Sequence, residues 1–310
     1  MTIAGGRRYL VTGAGGMLGT DLMSVLAERD ATGLTRARLD ITDPGAVEAA
    51  VAGLSASDVV INAAAYTRVD DAESDEATAT LINATGAGNL AAAAARHGAV
   101  LVQVSTDYVF DGSATTPYGE GAPRHPVSAY GRSKAEGERL ALERHPDGTR
   151  IVRAAWLYGE HGGNFAATML RLAGQRDTVE VVTDQRGQPT WTMDLARQIV
   201  AMLDADVPAG IYHGTNSGEA TWNEFARAVF ELGGHDPARV LPTEAARFVR
   251  PAPRPAYSVL GHAAWHGSGV APLRPWREAL EDAFSCGALG GRAKASSDRT
   301  TSAHPTAVTG

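Results

Sequence analysis

Two short stretches carry side chains that can move a proton together. Ser105-Thr106-Asp107 ends the apolar run Val100-Leu101-Val102-Gln103-Val104, which reads as a buried parallel strand. Ala129-Tyr130-Gly131-Arg132-Ser133-Lys134 opens a helical stretch, so Tyr130 and Lys134 lie one turn apart on a single face. A phenol titrates near about 10, too high for efficient proton transfer at neutral pH. An ammonium held beside it favours the phenolate and lowers that value. The Thr106 hydroxyl, at the mouth of a neighbouring strand, can bond the same oxygen. The trio reads as a site that exchanges a proton with an oxygen on a carbon undergoing hydride transfer. A Tyr-x-x-x-Lys pair alone is weak, since most are surface accidents. Its setting in a dinucleotide-binding chain gives it weight.

That setting begins at Arg8–Thr12, a first strand running directly into Gly13-Ala14-Gly15-Gly16-Met17-Leu18-Gly19, with a helix from Thr20 to about Glu28. Gly13 permits the tight turn, Gly16 lets the backbone approach a pyrophosphate, and Gly19 lets helix pack on strand. The helix N-terminus offers free N–H groups and the positive end of its dipole. The spacing is Gly-x-x-Gly-x-x-Gly. A second strand is weakly marked at Ala31 to Thr35, and Thr35-Arg36-Ala37-Arg38 follows without a carboxylate. Arginines there suit a 2′-phosphate, which points to NADPH, with NADH as the alternative. Asp40, in Leu39-Asp40-Ile41-Thr42, is placed to bond an adenine amino group, and Asp43-Pro44 starts a helix.

Asp58–Asn62 reads as a fourth strand, ending in the small residues Ala63-Ala64-Ala65 that leave room for a ligand. The carboxylates of Val69-Asp70-Asp71-Ala72-Glu73 read as a solvated helix start, and one alanine-rich helix is expected over Glu76 to His97. A long loop with Pro117, Gly119, Gly121, Pro123 and Pro126 separates the two proton-handling stretches. Thr149–Ala155 is a further strand, Thr192–Leu203 an amphipathic helix, and Thr221-x-x-Glu224 a capping box. Arg247 to Pro255, with three arginines and three prolines, suits an anionic substrate.

The expected fold is α/β, a Rossmann-type doubly wound parallel sheet with a smaller C-terminal substrate-binding domain. Residues 1–160 form the dinucleotide-binding domain, with strands from about 185–216 returning to it. Residues 161–284 form the substrate-binding domain, and 285–310, rich in Gly, Ala, Ser and Thr, read as a disordered tail. The chain of 310 residues has 44% hydrophobic and 20% charged residues, ordinary for a globular protein, and its formal charge of -7 disfavours nucleic-acid binding. One cysteine, Cys286, excludes an intramolecular disulfide. No apolar run approaches the roughly 20 residues that span a bilayer, and Met1 to Arg8 carry no secretory signal, so the cytoplasm is expected and no membrane partner. His262 and His266 lack a Glu between them and read as surface residues; no metal site is expected from ligand spacing.

Gly-x-x-Gly-x-x-Gly, Ser-Thr-Asp-Tyr-Val-Phe-Asp-Gly from Ser105, Tyr130-Gly131-Arg132-Ser133-Lys134, Arg153-Ala154-Ala155-Trp156-Leu157-Tyr158-Gly159 and Arg254-Pro255-Ala256-Tyr257-Ser258-Val259-Leu260 together resemble the dTDP-4-dehydrorhamnose reductase family of extended short-chain dehydrogenases/reductases. The resemblance spans about residues 8–284. It implies a cofactor, NADPH or NADH, lying over Gly16, Met17, Leu18, Asp40, Ile41, Ala64, Ala65 and Tyr66. It implies reduction of the C4 keto group of a dTDP-4-keto-6-deoxysugar, dTDP-4-dehydro-L-rhamnose to dTDP-L-rhamnose. Tyr130 would protonate the alkoxide, Lys134 tune it and hold the nicotinamide ribose, and Thr106 orient the carbonyl. Asp107 and Trp156 would contact the sugar nucleotide, and Asn164 and Arg254 join them as substrate-binding candidates. Gly261 stands where the family often has Asp. The alternatives are a reductase of another dTDP-keto sugar in antibiotic biosynthesis (dihydrostreptose type), a sugar-nucleotide epimerase, and a non-catalytic nucleotide-binding regulatory subunit. Which sugar is used, homodimer formation and any need for Mg2+ stay open.

Overall fold

The computed structural model describes residues 6–289. The start of the chain and residues 290–310, most of the expected tail, lie outside the described residues. In chain order the first half contains β1 (Arg8–Thr12), α1 (Met17–Val25), β2 (Asp30–Leu34), α2 (Pro44–Val51), β3 (Val59–Asn62), α3 (Glu76–Thr80), α4 (Ala87–His97), β4 (Val100–Thr106), α5 (Ala129–Arg144) and β5 (Thr149–Ala154). The second half contains β6 (Leu157–Tyr158), α6 (Phe165–Ala173), β7 (Val179–Val182), β8 (Arg186–Gly187), β9 (Thr190–Trp191), α7 (Thr192–Asp204), β10 (Gly210–His213), β11 (Ala220–Thr221), α8 (Trp222–Leu232), β12 (Val240–Thr243) and α9 (Trp276–Ser285).

The main sheet is parallel, in the order β10-β5-β4-β3-β1-β2. Its inner strands are largely buried on both faces because helices cover both, whereas the edge strand β2 is mostly exposed. Alternate residues divide between two cores: Val11, Ile61, Val102 and Val152 pack under α1 and α7, while Leu10, Val60, Leu101 and Ile151 pack under α2, α4 and α5. The chain leaves β1 for β2 on one side and returns through β3 on the other. The crevice at this reversal, beyond the strands' carboxyl ends, is where α/β sheets bind ligands. A third core, with Tyr158, Phe225, Phe230 and Leu280, belongs to the C-terminal part.

Several local expectations change. The strand expected as the fourth, Val59–Asn62, is the third. The alanine-rich helix is interrupted by a π-helical segment, Leu81–Gly86. Asn83 inside it donates to the Tyr66 carbonyl at 3.0 Å and to Ser133 Oγ at 2.9 Å, and accepts from the Tyr66 N–H at 2.8 Å. These bonds hold the widened turn and tie it to α5 and to the end of β3. Of the carboxylates after Val69, Asp71 does stand exposed at a helix start, the short 3-10 turn Asp71–Glu73, but the other two are engaged. Asp70 binds Arg254 in a two-point ion pair, and Glu73 accepts the N–H of Ala129 at 2.8 Å. His262 is half-buried rather than superficial, with Nε2 2.8 Å from the Thr215 hydroxyl. At the C-terminus α9 includes Ser285, and Leu289 is buried, so packing continues past the residue chosen as the start of the tail.

Candidate active site

The carboxyl ends of β1 to β5 open into a cleft of about 840 Å³. At one end lies the glycine turn. Gly13 adopts φ +71°, and a Cβ there would sit 2.5 Å from the Ala64 nitrogen. At Gly19 a Cβ would drive into the Gly13 carbonyl and lie 2.8 Å from the Ala14 Cα. Both positions therefore require glycine for reasons of conformation or close approach. Gly16 is the N-cap of α1 and no side chain caps that helix. By contrast Asp43, Ser128, Asn164 and Thr221 cap α2, α5, α6 and α8. α7 and α9 also lack a side-chain cap, but of these three helices only α1 starts in the cleft, where its free N–H groups can meet an anion. Arg36 and Asp40 line the same end, as do Met17, Leu18, Ile41, Ala64 and Ala65. Arg38 turns back to the Gly33 carbonyl at 3.3 Å.

At the other end stand Thr106, Asp107, Tyr130, Lys134 and Trp156. Ser128 caps α5 by accepting the Gly131 N–H at 3.1 Å, which fixes the turn carrying Tyr130. Register places Thr106 of β4 beside Ala154 of β5, just before Trp156. Trp156 has φ +47° and stacks on Trp222, ring centroids 3.5 Å apart. Gly187 makes room for it, since a Cβ there would fall 2.5 Å from the indole.

Burial governs the electrostatics. It raises the Tyr130 phenol, opposed by Thr106 and reinforced by the Asp107 charge. It pushes Lys134 down to about 8, with Glu138 opposing. It lifts Asp107 to about 6 against the hydroxyls of Ser258 and Thr106. The expectation that Lys134 lowers the Tyr130 pKa is not met in this arrangement. The ammonium, buried and in need of an acceptor, donates to the Val104 carbonyl at 2.7 Å. The Thr106 hydroxyl donates to Asp107 Oδ1 at 2.9 Å.

Three candidates stand off the cleft lining. Tyr66 is buried behind it, under the Arg68 guanidinium at 5.0 Å. Asn164 spends its side chain on capping α6, accepting from Ala167 and donating to the Gly159 carbonyl, both at 2.9 Å. Arg254 is held by Asp70 at the rim, beside Tyr108. Tyr108 itself was not singled out: it lines the cleft and meets Tyr130 edge-on, centroids 5.6 Å apart at 76°. Its place directly after Ser-Thr-Asp is the signal that could have found it. Among the described residues no group of three or more His, Cys, Asp or Glu side chains could hold a metal ion, and no helix is long and apolar enough to cross a membrane.

A family model described as the RmlD substrate binding domain matches residues 7–287. The chain is 52% identical over 292 residues to a dTDP-4-dehydrorhamnose reductase of Streptomyces griseus, covering 92% of this chain and 95% of that one. It is 52% identical over 282 residues to a probable dTDP-4,6-dihydroxy-2-methyloxan-3-one 4-ketoreductase of Streptomyces antibioticus, covering 89% and 94%. The crystal structure of a dTDP-4-dehydrorhamnose reductase from Bacillus anthracis in complex with NADP superposes with a TM-score of 0.86 at 38% identity, covering 90% of this chain and 99% of that one.

Proposed function

The chain belongs to the RmlD substrate binding domain family, and from that membership we propose that it reduces the C4 keto group of a dTDP-4-keto-6-deoxysugar with a nicotinamide cofactor. One observation carries the reading. Thr106, Tyr130 and Lys134 gather on the floor of the cleft whose other end is the glycine turn and the uncapped start of α1.

The residues present fit the cofactor. The cradle at Gly13 and Gly19 would be filled by any Cβ, and α1 keeps its first N–H groups for a pyrophosphate. When bound, the nicotinamide supplies a hydride. Gly16, Met17 and Leu18 hold the pyrophosphate, and Asp40 and Ile41 border the adenine. Arg36 lines the end of β2, where the residues directly after the strand, Thr35 to Arg38, include no carboxylate, so NADPH is favoured over NADH. Tyr130 gives its hydroxyl proton to the oxygen of the reduced carbon. Lys134 holds the nicotinamide ribose one turn along α5, and Thr106 orients the carbonyl. Trp156 and Asp107 face the sugar, and Arg254 stands at the rim on the substrate side. Asn164 acts through the loop it fixes rather than by contact.

We favour dTDP-4-dehydro-L-rhamnose as the substrate, with other dTDP-4-keto sugars as the alternative, because the relatives' names divide between them. The test is cofactor oxidation by the purified protein with each sugar, with analysis of the product. Oxidation of NADPH by one of them is expected. Arg36→Ala should raise the Michaelis constant for NADPH at least about tenfold while leaving that for NADH nearly unchanged, consistent with loss of one charge-assisted contact. Absence of oxidation with every dTDP-4-keto sugar would defeat the reading.

A further inference from the structure

Asp107 differs from an ordinary sugar-facing carboxylate. It is 1% exposed, it lines the cleft, and its Oδ2 is buried without a hydrogen-bond partner. The groups facing it are the hydroxyls of Thr106 and Ser258, the phenols of Tyr108 and Tyr130, and the backbone N–H groups of its own turn. The nearby cations are engaged elsewhere: Lys134 with the Val104 carbonyl and Arg254 with Asp70. A carboxylate buried without a cation is costly and favours its neutral form. Burial accordingly raises this one to about 6. Thr106 donates to Asp107 Oδ1 at 2.9 Å, both Thr106 and Tyr130 line the cleft, and the Thr106 hydroxyl lies near enough to the Tyr130 phenol to favour its ionised form. Phenol, hydroxyl and carboxyl therefore form a file of exchangeable protons, and its inner end can store one.

Resting on the reductase reading, we propose that Asp107 in its carboxylic acid form is the proton source behind Tyr130, delivered through Thr106. Hydride addition to the carbonyl carbon moves the π electron pair onto oxygen, and that oxygen takes the Tyr130 proton. The Tyr130 O–H breaks and the sugar O–H forms. The phenolate takes the Thr106 proton, and Thr106 takes the proton of Asp107. Asp107 is left as a carboxylate accepting from the Thr106 hydroxyl, which is the arrangement in the structure. Water in the open cleft returns one proton after product leaves, so no further reactant is needed. Only the acid form frees the Thr106 hydrogen to point toward Tyr130.

Asp107→Asn keeps the shape and can still accept from Thr106, but it carries no transferable proton. The expected result is a kcat at least about tenfold lower, less than the roughly 10²- to 10⁴-fold worth of a direct general acid because Asp107 acts through Tyr130, with cofactor affinity unchanged. In wild type, kcat should fall as pH rises through the Asp107 pKa, because the acid form is the active one; the variant should lack that limb. A readout without turnover is the infrared difference spectrum of the ligand-free protein between about pH 5 and about pH 8, spanning the titration of a raised carboxyl. Wild type should show a buried carboxylic acid band that Asp107→Asn lacks. If the variant does not fold, the solvent-deuterium proton inventory of wild type decides: a curved plot, several protons in flight, supports the relay, and a straight one overturns it. A variant within twofold of wild type with the same pH profile, or no acid band in wild type, also overturns it. Wild type that turns over no dTDP-keto sugar would instead defeat the reductase reading, a separate failure.

Discussion

Tyr130 enters the cleft as a phenol whose burial holds on to its proton. That suits an acid called on only once negative charge appears on the neighbouring oxygen. Removing the hydroxyl alone separates this role from binding. Tyr130→Phe should lower turnover by about 10²- to 10⁴-fold, the usual worth of a positioned general acid. Its cofactor affinity, read by fluorescence titration, should match wild type. Turnover near wild type would contradict the assignment. The i, i+4 spacing of Tyr130 and Lys134 was legible because a helix repeats every 3.6 residues. The direction of their pKa shifts was not. Burial of α5 against β4 decides it, and the lysine finds a backbone carbonyl 30 residues earlier in the chain rather than the phenol.

At the scale of elements, the β1–turn–α1 unit does the most with the least side chain. Helix and strand touch only because Gly19 has no Cβ to meet the Gly13 carbonyl. Gly19→Ala should therefore destabilise the fold by about 1–3 kcal/mol, the usual cost of overpacking, and weaken cofactor binding at least about tenfold as α1 shifts from the turn. Thermal melts and cofactor titration would show both. Gly119→Ala is the control, since a Cβ there meets nothing within 4 Å and melting should not change. The glycine pattern was readable because its reason is local. The break in the alanine-rich helix was not, because Asn83 chooses partners on Tyr66 and Ser133 that no window of sequence contains. Asn164 shows the reverse case: Asn directly before a helix is a local cap signal, and the cap is what the structure shows. Its assignment to substrate passed over that simpler task.

Across the whole molecule, the sheet and the C-terminal part meet through contacts that sequence order hides. Asp70 and Arg254, 184 residues apart, form a two-point ion pair, and the Ala252 N–H adds a bond to Asp70 at 3.2 Å. Arg250 approaches the same carboxylate at 3.6 Å. One side chain from beyond β3 thus positions the basic segment at the rim of the cleft. Hydrophobic periodicity revealed the sheet, yet it carries no record of which charges pair across such a distance. Asp70→Asn leaves the Arg254 guanidinium, only 14% exposed, without its counter-charge. The expected cost is about 1–3 kcal/mol, in line with losing a hydrogen bond to a charged group. Urea unfolding would measure it. Because Arg254 sits beside Tyr108, in the part of the cleft proposed for the sugar, the Michaelis constant for the dTDP sugar should rise while that for NADPH holds. A fall in stability with both constants unchanged would make the pair a fastening between the two parts and nothing more. A rise in both would place its influence on the cleft as a whole rather than on the rim.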